Sequence, residues 1–234
     1  MNSEILIVED DKDIQSLLAM CFDQEGLIYR IVDNGMDAIR VFNLHNISLV
    51  ILDIMLPDID GFQICEEIRK TSAAPILFLS CKNTDQDKIV GFSIGADDYI
   101  EKPFSVNVLL ARVRAHLRRN RLLARNNRVE GQSDTFEFDN ISIDVRSREV
   151  KKKGKTIHLT TKEFDLLLFL LKNRNNVFSA EDLLYRIWGC ETYSEIRTVV
   201  VHISSLRKKF EDNPLNPKYI VTIRGAGYKF VQNK

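Results

Sequence analysis

Polar side chains stand at the ends of apolar runs throughout the first half of this 234-residue chain. Glu9, Asp10 and Asp11 follow Ile5, Leu6, Ile7 and Val8. Asp53 closes the run Leu49, Val50, Ile51, Leu52. Ser80 closes "APILFLS", and Lys102 follows "DDYIE" just before Pro103. Continuous short apolar runs are the pattern of strands buried on both faces, so each polar group marks the point at which a strand surfaces. Several carboxylates within a few ångströms raise one another's pKa unless a cation sits among them. All-oxygen ligands favour a hard ion, and a partly filled shell favours Mg2+, which keeps its waters and can hold phosphate. A lysine can pair with carboxylate or phosphate oxygens, and a serine hydroxyl can donate to phosphate. Carboxylate nucleophile, Mg2+, ammonium and hydroxyl together suit phosphoryl transfer to Asp53. Taken singly, these residues have plainer uses. Asp10 or Asp11 alone would cap a helix beginning near Lys12, and Ser80 alone would be a turn residue.

The elements that must position these groups alternate. The apolar run at Ile5 predicts a strand, and the 14, 17, 18, 21, 22 spacing after it predicts a helix ended by Gly26. The same alternation repeats through "LIYRIV" and "GMDAIRVFNLH", "SLVILD" and "FQICEEIRK", "APILFLS" and "TDQDKIVGFSIG", and "DDYIEK" and "SVNVLLARVRAHLRR". Five strand–helix pairs in about 120 residues predict a doubly wound α/β domain with a parallel sheet. In such sheets functional groups gather at the C-terminal strand ends, where the polar residues above stand. The second strand contributes none, which fits an edge position.

Charge divides the chain. Residues 1–120 carry 12 Lys and Arg against 19 Asp and Glu, whereas residues 121–234 carry 21 against 14. An acidic module joined to a basic one implies that the second meets something anionic. Residues 120–131 are polar and basic and read as a linker. Beyond it, "FEFDNISIDV" alternates and "EVKKKGKTIHL" reads as two short strands around Gly154, so the module opens with an antiparallel sheet. "TKEFDLLLFLLKN" is helical, with Glu163 at capping-box distance from Thr160, and "SAEDLLYRIWG" is helical with Ser179 as cap. "EIRTVVVHISSLRKKFED" predicts a third helix. Ile196, Val199, Val200, Ile203, Leu206 and Phe210 lie near one face, and Arg197, His202, Ser205, Arg207, Lys208 and Lys209 on the other. "YIVTIRGAGYKFV" reads as a hairpin turning at Gly225-Ala226-Gly227. Three helices, one of them basic, followed by a basic hairpin imply an α+β winged helix-turn-helix that binds double-stranded DNA.

Both modules resemble one family. "ILIVEDD", "LVILDIMLPDIDGFQICEEIR", "PILFLS" and "GADDYIEKPF", within residues 3–119, resemble the receiver domain of bacterial two-component response regulators. "LTTKEFDLLLFLL", "LLYRIWG", "RTVVVHISSLRKKFE" and "IVTIRGAGYKF", within residues 132–233, resemble the winged-helix effector domain of the OmpR/PhoB class. The resemblance implies that a sensor histidine kinase phosphorylates Asp53. Glu9, Asp10, Asp53 and the backbone carbonyl of Met55 would hold Mg2+. Lys102 would pair with the phosphate, Ser80 would move toward it, and Tyr99 would swing inward as a switch. Arg197, Thr198, His202, Ser205 and Arg207, with Thr222, Arg224 and Tyr228 of the wing, would contact promoter DNA at direct-repeat sites. The 189–195 loop would meet RNA polymerase. Phosphorylation would promote a homodimer through Asp97 with Arg119 and Asp98 with Arg112. Lys88 matches a further such residue, but Val108 stands where its acidic partner is expected. Ser204 and Ser205 occupy positions where relatives often carry arginine, and Val200 replaces a frequent acid. A different operator is therefore expected.

The four cysteines form no Cys-x-x-Cys pair, the N-terminus lacks a signal pattern, and no apolar run reaches the ~18 residues of a membrane span. A cytoplasmic protein is expected. Two other readings stay open. One is a DNA-binding regulator whose receiver is a phosphate-independent structural element. The other is a phosphatase-like enzyme with an aspartyl-phosphate intermediate. The second needs an acid two residues after the nucleophile, where this chain has Met55.

Overall fold

The computed structural model describes the backbone of residues 4–81, 85–126, 135–189 and 196–232, and their side chains except at 85, 86, 88, 89 and 118–126. The chain divides into two compact units, Met1–Arg121 and Leu122–Lys234.

The first unit alternates strand and helix: β1 (Glu4–Val8), α1 (Lys12–Gln24), β2 (Ile28–Val32), α2 (Gly35–Leu44), β3 (Ile47–Asp53), α3 (Gly61–Thr71), β4 (Ile76–Ser80), α4 (Asp85–Ile94), β5 (Asp98–Glu101) and α5 (Val106–Asn126). The strands are parallel in the order β2-β1-β3-β4-β5, with β2 at an edge as its lack of functional groups implies. Alternate side chains serve the two faces. Ile5, Ile7, Leu49, Ile51, Leu77 and Leu79 pack with Leu18, Phe22, Leu109 and Val113 of α1 and α5. Leu6, Val8, Val50, Leu52 and Phe78 are also fully buried, so each central strand loses both faces to the core. Full burial of one such side chain contributes roughly 1.5–3 kcal/mol, which is why these runs read as continuously apolar. Capping fixes where the helices begin. The Asp11 carboxylate accepts from the N–H groups of Asp13 and Ile14 at 2.8 and 3.2 Å, and that of Asp60 accepts from Phe62 N–H at 2.8 Å. α5 continues through Asn126, into the stretch expected to link the modules; residues 127–131 lie outside the described residues.

The second unit opens with the antiparallel sheet β6 (Thr135–Phe138), β7 (Ile141–Asp144), β8 (Glu149–Lys152) and β9 (Lys155–Ile157). The alternating run at Phe136 is two strands. Apolar residues fall on even positions through Phe138 and on odd positions from Ile141, and the parity changes at a turn where Asp139 has φ 48°. Three helices follow: α6 (Thr161–Lys172), α7 (Ala180–Trp188) and α8 (Ile196–Phe210). The first two carry the capping boxes Thr160/Glu163 and Ser179/Asp182. The hairpin β10 (Ile220–Ile223) and β11 (Gly227–Phe230) closes the unit. Leu166, Leu167, Leu170, Leu183, Val199, Ile203, Leu206, Phe210 and Phe230 form its core. Cys21, Cys65 and Cys81 are unpaired, and Cys190 lies outside the described residues. Among the described residues no helix is long and apolar enough to cross a membrane.

The hairpin is tied back to the helices through backbone. Tyr228 N–H donates to Phe178 O and Phe178 N–H to Tyr228 O, each at 2.9 Å. This approach leaves no room beside Gly227, whose φ is +133° and where an added Cβ would lie 1.9 Å from the Phe178 carbonyl oxygen. Gly227→Ala is expected to cost at least ~2 kcal/mol, since backbone must move at both strands. Urea unfolding followed at Trp188, the sole tryptophan, reads this unit directly.

Candidate functional site

Strand register assembles the acidic patch. Val8 pairs with Leu52, so the residues that follow, Glu9 just past β1 and Asp53 at the end of β3, emerge side by side. Asp53 pairs with Leu79 and Ser80 with Glu101, which brings Ser80 and then Lys102 to the same edge. Lys102 donates to Glu9 Oε1 and Oε2 at 2.9 and 2.7 Å and to Asp53 Oδ2. Asp53 Oδ1 accepts from Met55 N–H at 2.9 Å, in the loop that follows β3. Glu9 and Asp53 are buried, whereas Asp10 faces solvent. Gly61 permits this loop to close: a Cβ there would lie 2.3 Å from the Asp53 carbonyl oxygen, and its N–H donates to Ile54 O at 2.9 Å.

Burial pushes the Glu9 carboxyl up to about 7, with the Asp53 charge adding to it and the Lys102 bond opposing. Burial also opposes the Lys102 charge, but its bonds to Asp53 and Glu9 prevail and raise its pKa. Glu9, Asp10 and Asp53 each offer one oxygen, all within 4.8 Å of one another. An all-carboxylate set with one solvent-facing member suits a hard divalent ion that keeps several waters, and Mg2+ fits it.

Ser80 and Tyr99 lie together beside the patch. Both are buried, and the Ser80 side chain hydrogen-bonds the tyrosine hydroxyl, whose pKa burial raises. The Tyr99 ring lies edge-on to Phe78 and Phe92, at 6.2 and 6.5 Å. Tyr99 thus already faces inward. The expected dimer residues separate. Asp97 is fully buried; Arg69 donates to its Oδ2 at 2.7 Å and Ile76 N–H at 3.0 Å. It fastens α3 to the sheet and does not stand on the surface where a cross-subunit partner would need it. Asp98 pairs with Arg112 within the chain. Val108 is exposed, and the Lys88 and Arg119 side chains lie outside the described residues.

In the second unit the DNA-binding residues expected from sequence fall into four groups. Arg207, Thr222 and Tyr228 come together: the Arg207 guanidinium donates to Ile220 O and Thr222 Oγ1, both at 2.8 Å, and lies 5.8 Å from the centre of the Tyr228 ring. Arg197 and Arg224 are exposed, on α8 and at the hairpin turn. Ser205 is half-buried and donates to Glu163 at 2.6 Å. Thr198 and His202 are corrections. Both are buried; the His202 ring packs 4.9 Å from Trp188 and its Nδ1 bonds Thr198 O at 2.8 Å. Val200 is the reverse case, expected inward and found 47% exposed. Three fastening residues escaped sequence reasoning as such. Glu163 also accepts from Lys209 at 2.6 Å. The buried Glu211 carboxylate accepts from the N–H groups of Lys218, Tyr219 and Ile220 at 2.8–2.9 Å. Arg69 is the third. Only Glu163 carried a local signal, its capping box.

The chain matches the response regulator receiver domain over residues 5–114, and the C-terminal domain of transcriptional regulatory proteins over residues 154–230. It is 42% identical to the uncharacterized transcriptional regulatory protein YclJ of Bacillus subtilis, across 97% of this chain and 98% of that one. It is 37% identical to the sensory transduction protein RegX3 of Mycolicibacterium smegmatis over the same shares. Among solved structures, the response regulator DrrB of Thermotoga maritima, an OmpR/PhoB homologue, aligns at 35% identity with a TM-score of 0.51, covering 99% of this chain and all of that one.

The raised Glu9 pKa has a measurable consequence. Mg2+ takes the carboxylate form, so its affinity is expected to rise about ten-fold between pH 6 and pH 8 and then level off. In the metal-free protein the same shift acts oppositely: stability from this group is present below the ordinary carboxylate range and is lost as pH rises through about 7. Calorimetric Mg2+ titration and urea unfolding across that range check both signs.

Proposed function

The chain belongs to the two-component response regulators of the OmpR/PhoB class, and on that premise we propose that Asp53 accepts the phosphoryl group from a sensor histidine kinase. The observation that carries this reading is the Glu9–Asp53–Lys102 cluster with Asp10 beside it. Glu9, Asp10, Asp53 and the Met55 carbonyl would hold Mg2+, which when bound neutralises charge on the phosphoryl oxygens. An Asp53 oxygen attacks phosphorus, the bond from phosphorus to the donor histidine breaks, and the Lys102 ammonium transfers from the carboxylates to the phosphoryl oxygens. The phosphorylated site carries about −1.5 to −2 charges, so it draws a donor toward it. Ser80, at the adjacent strand end, offers a hydroxyl, and turning it to the phosphate gives up its bond to Tyr99. The change therefore reaches β5 and α5. Asp98 and Arg112 there can exchange partners with a second copy, forming the dimer; Asp97 takes no part.

The basic unit meets DNA through the exposed side of α8 and the hairpin turn. Arg197, Lys208 and Arg224 are exposed cations suited to phosphate contact. Arg207, Thr222 and Tyr228 brace the hairpin against α8, so their loss would misplace both. The segment assigned to RNA polymerase lies at 189–195, of which 190–195 are outside the described residues. Two-fold pairing of receivers would bring two DNA-binding units to adjacent half-sites and strengthen binding through effective concentration. Met55 stands where an aspartyl-phosphate phosphatase needs its second acid, which favours the regulator over the enzyme.

With Mg2+ and acetyl phosphate, the wild-type chain is expected to take up radiolabelled phosphate and Asp53→Ala none. DNA affinity of the phosphorylated protein should exceed that of Asp53→Ala by about ten-fold or more. Equal affinities would favour the phosphate-independent regulator; sustained turnover of a phosphate ester would favour the enzyme.

A further inference from the structure

The outward side of α8 carries a stripe, Arg197, Val200, Ser204 and Lys208, all exposed, at spacings of three, four and four residues, with exposed Lys209 at its flank. At ~1.5 Å per residue the two cations are separated by roughly 16 Å along the helix, more than the ~12 Å width of the major groove. A helix seated there brings its end cations to the phosphate strands and its middle to the base edges. The middle of this stripe is Val200 and Ser204. Off this stripe, Arg207 donates to Ile220 and Thr222 of the hairpin and Lys209 to Glu163. Among the described residues Val200 is the one large apolar side chain of α8 that stands exposed, at 47%.

We infer that α8 reads its operator through a thymine methyl group packed on Val200, and not through an arginine–guanine pair. This rests on the DNA-binding reading above. In the major groove the C5 methyl of thymine is the apolar group a base presents, so it is the partner that an exposed valine can bury itself against. The Ser204 hydroxyl donates or accepts equally and adds little discrimination. The operator should therefore hold thymine at the position facing Val200 and tolerate exchange of guanine beneath α8.

The test removes the methyl group and nothing else. Phosphorylated full-length protein selects its preferred site from random duplex DNA, and each thymine of that site is replaced in turn by deoxyuridine. One position should weaken binding about four-fold, the worth of roughly one buried methyl group. Val200→Ala should bind the thymine site about four-fold more weakly and no longer distinguish deoxyuridine there, closing a double-mutant cycle. Val200 is exposed, so the variant should keep its fold, which Trp188 fluorescence on thermal unfolding checks. Indifference to deoxyuridine at every position, or a penalty that persists in Val200→Ala, overturns the inference while leaving DNA binding intact. Failure to select any site, or association of the protein with itself through this stripe, overturns the DNA-binding reading and the inference with it.

Discussion

Two carboxylates brought side by side by strand register would repel, and the Lys102 ammonium between Glu9 and Asp53 is what makes their proximity tolerable. The first unit is organised around that juxtaposition. β1 and β3 must pair in one register, since a slip of a single residue would turn Asp53 into the core or away from Glu9. β5 must lie across β4 from them so that Lys102 can reach back. Gly61 must lack a side chain so that the loop after β3 can fold over the Asp53 carbonyl. The arrangement is also chemically unsettled. Glu9 is held near neutrality in its titration, and Lys102 is shared by two acids. A divalent cation or a phosphoryl group can therefore redistribute these partners without disturbing the core beneath.

The second unit uses buried charge for a different purpose. Glu163, Glu211 and Arg207 each tie their own segment to another element. Glu163 holds the start of α6 against Ser205 and Lys209 of α8. Glu211 gathers the three N–H groups entering β10, and Arg207 joins α8 to the same strand. Removing one partner of such a buried set leaves the other uncompensated, which costs more than the contact itself contributes. The orientation of α8 relative to the hairpin is thereby fixed by side chains that are themselves largely unavailable to DNA. Basic residues counted on a helix overstate the number free to touch a phosphate.

Much of the architecture was legible in sequence for identifiable reasons. Strands buried on both faces must be apolar throughout, so the runs at Ile5, Leu49 and Ile76 announced themselves. Capping boxes at Thr160 and Ser179 and paired glycines at 225 and 227 are local devices with local chemistry. The split of the run at Phe136 was less visible, because the change of parity at Asp139 spans only two residues. Asp97 was misplaced because an acid on a strand end gives no sign of which basic residue will reach it; Arg69 comes from 28 positions earlier.

The sequence by itself determined which residues could become strands and helices, and that acids, a serine and a lysine would stand at the ends of parallel strands. Period and polarity are properties of neighbouring residues, so they survive without a fold. Only the tertiary structure decided which flank of α8 is covered. At about 100° per residue, Thr198 and Val200 lie at equal angles on either side of the Val199 line. Periodicity cannot choose between them. Trp188 packs on the His202 side, so Thr198 and His202 go in and Val200 comes out. One aromatic contact from another helix settled what that surface presents.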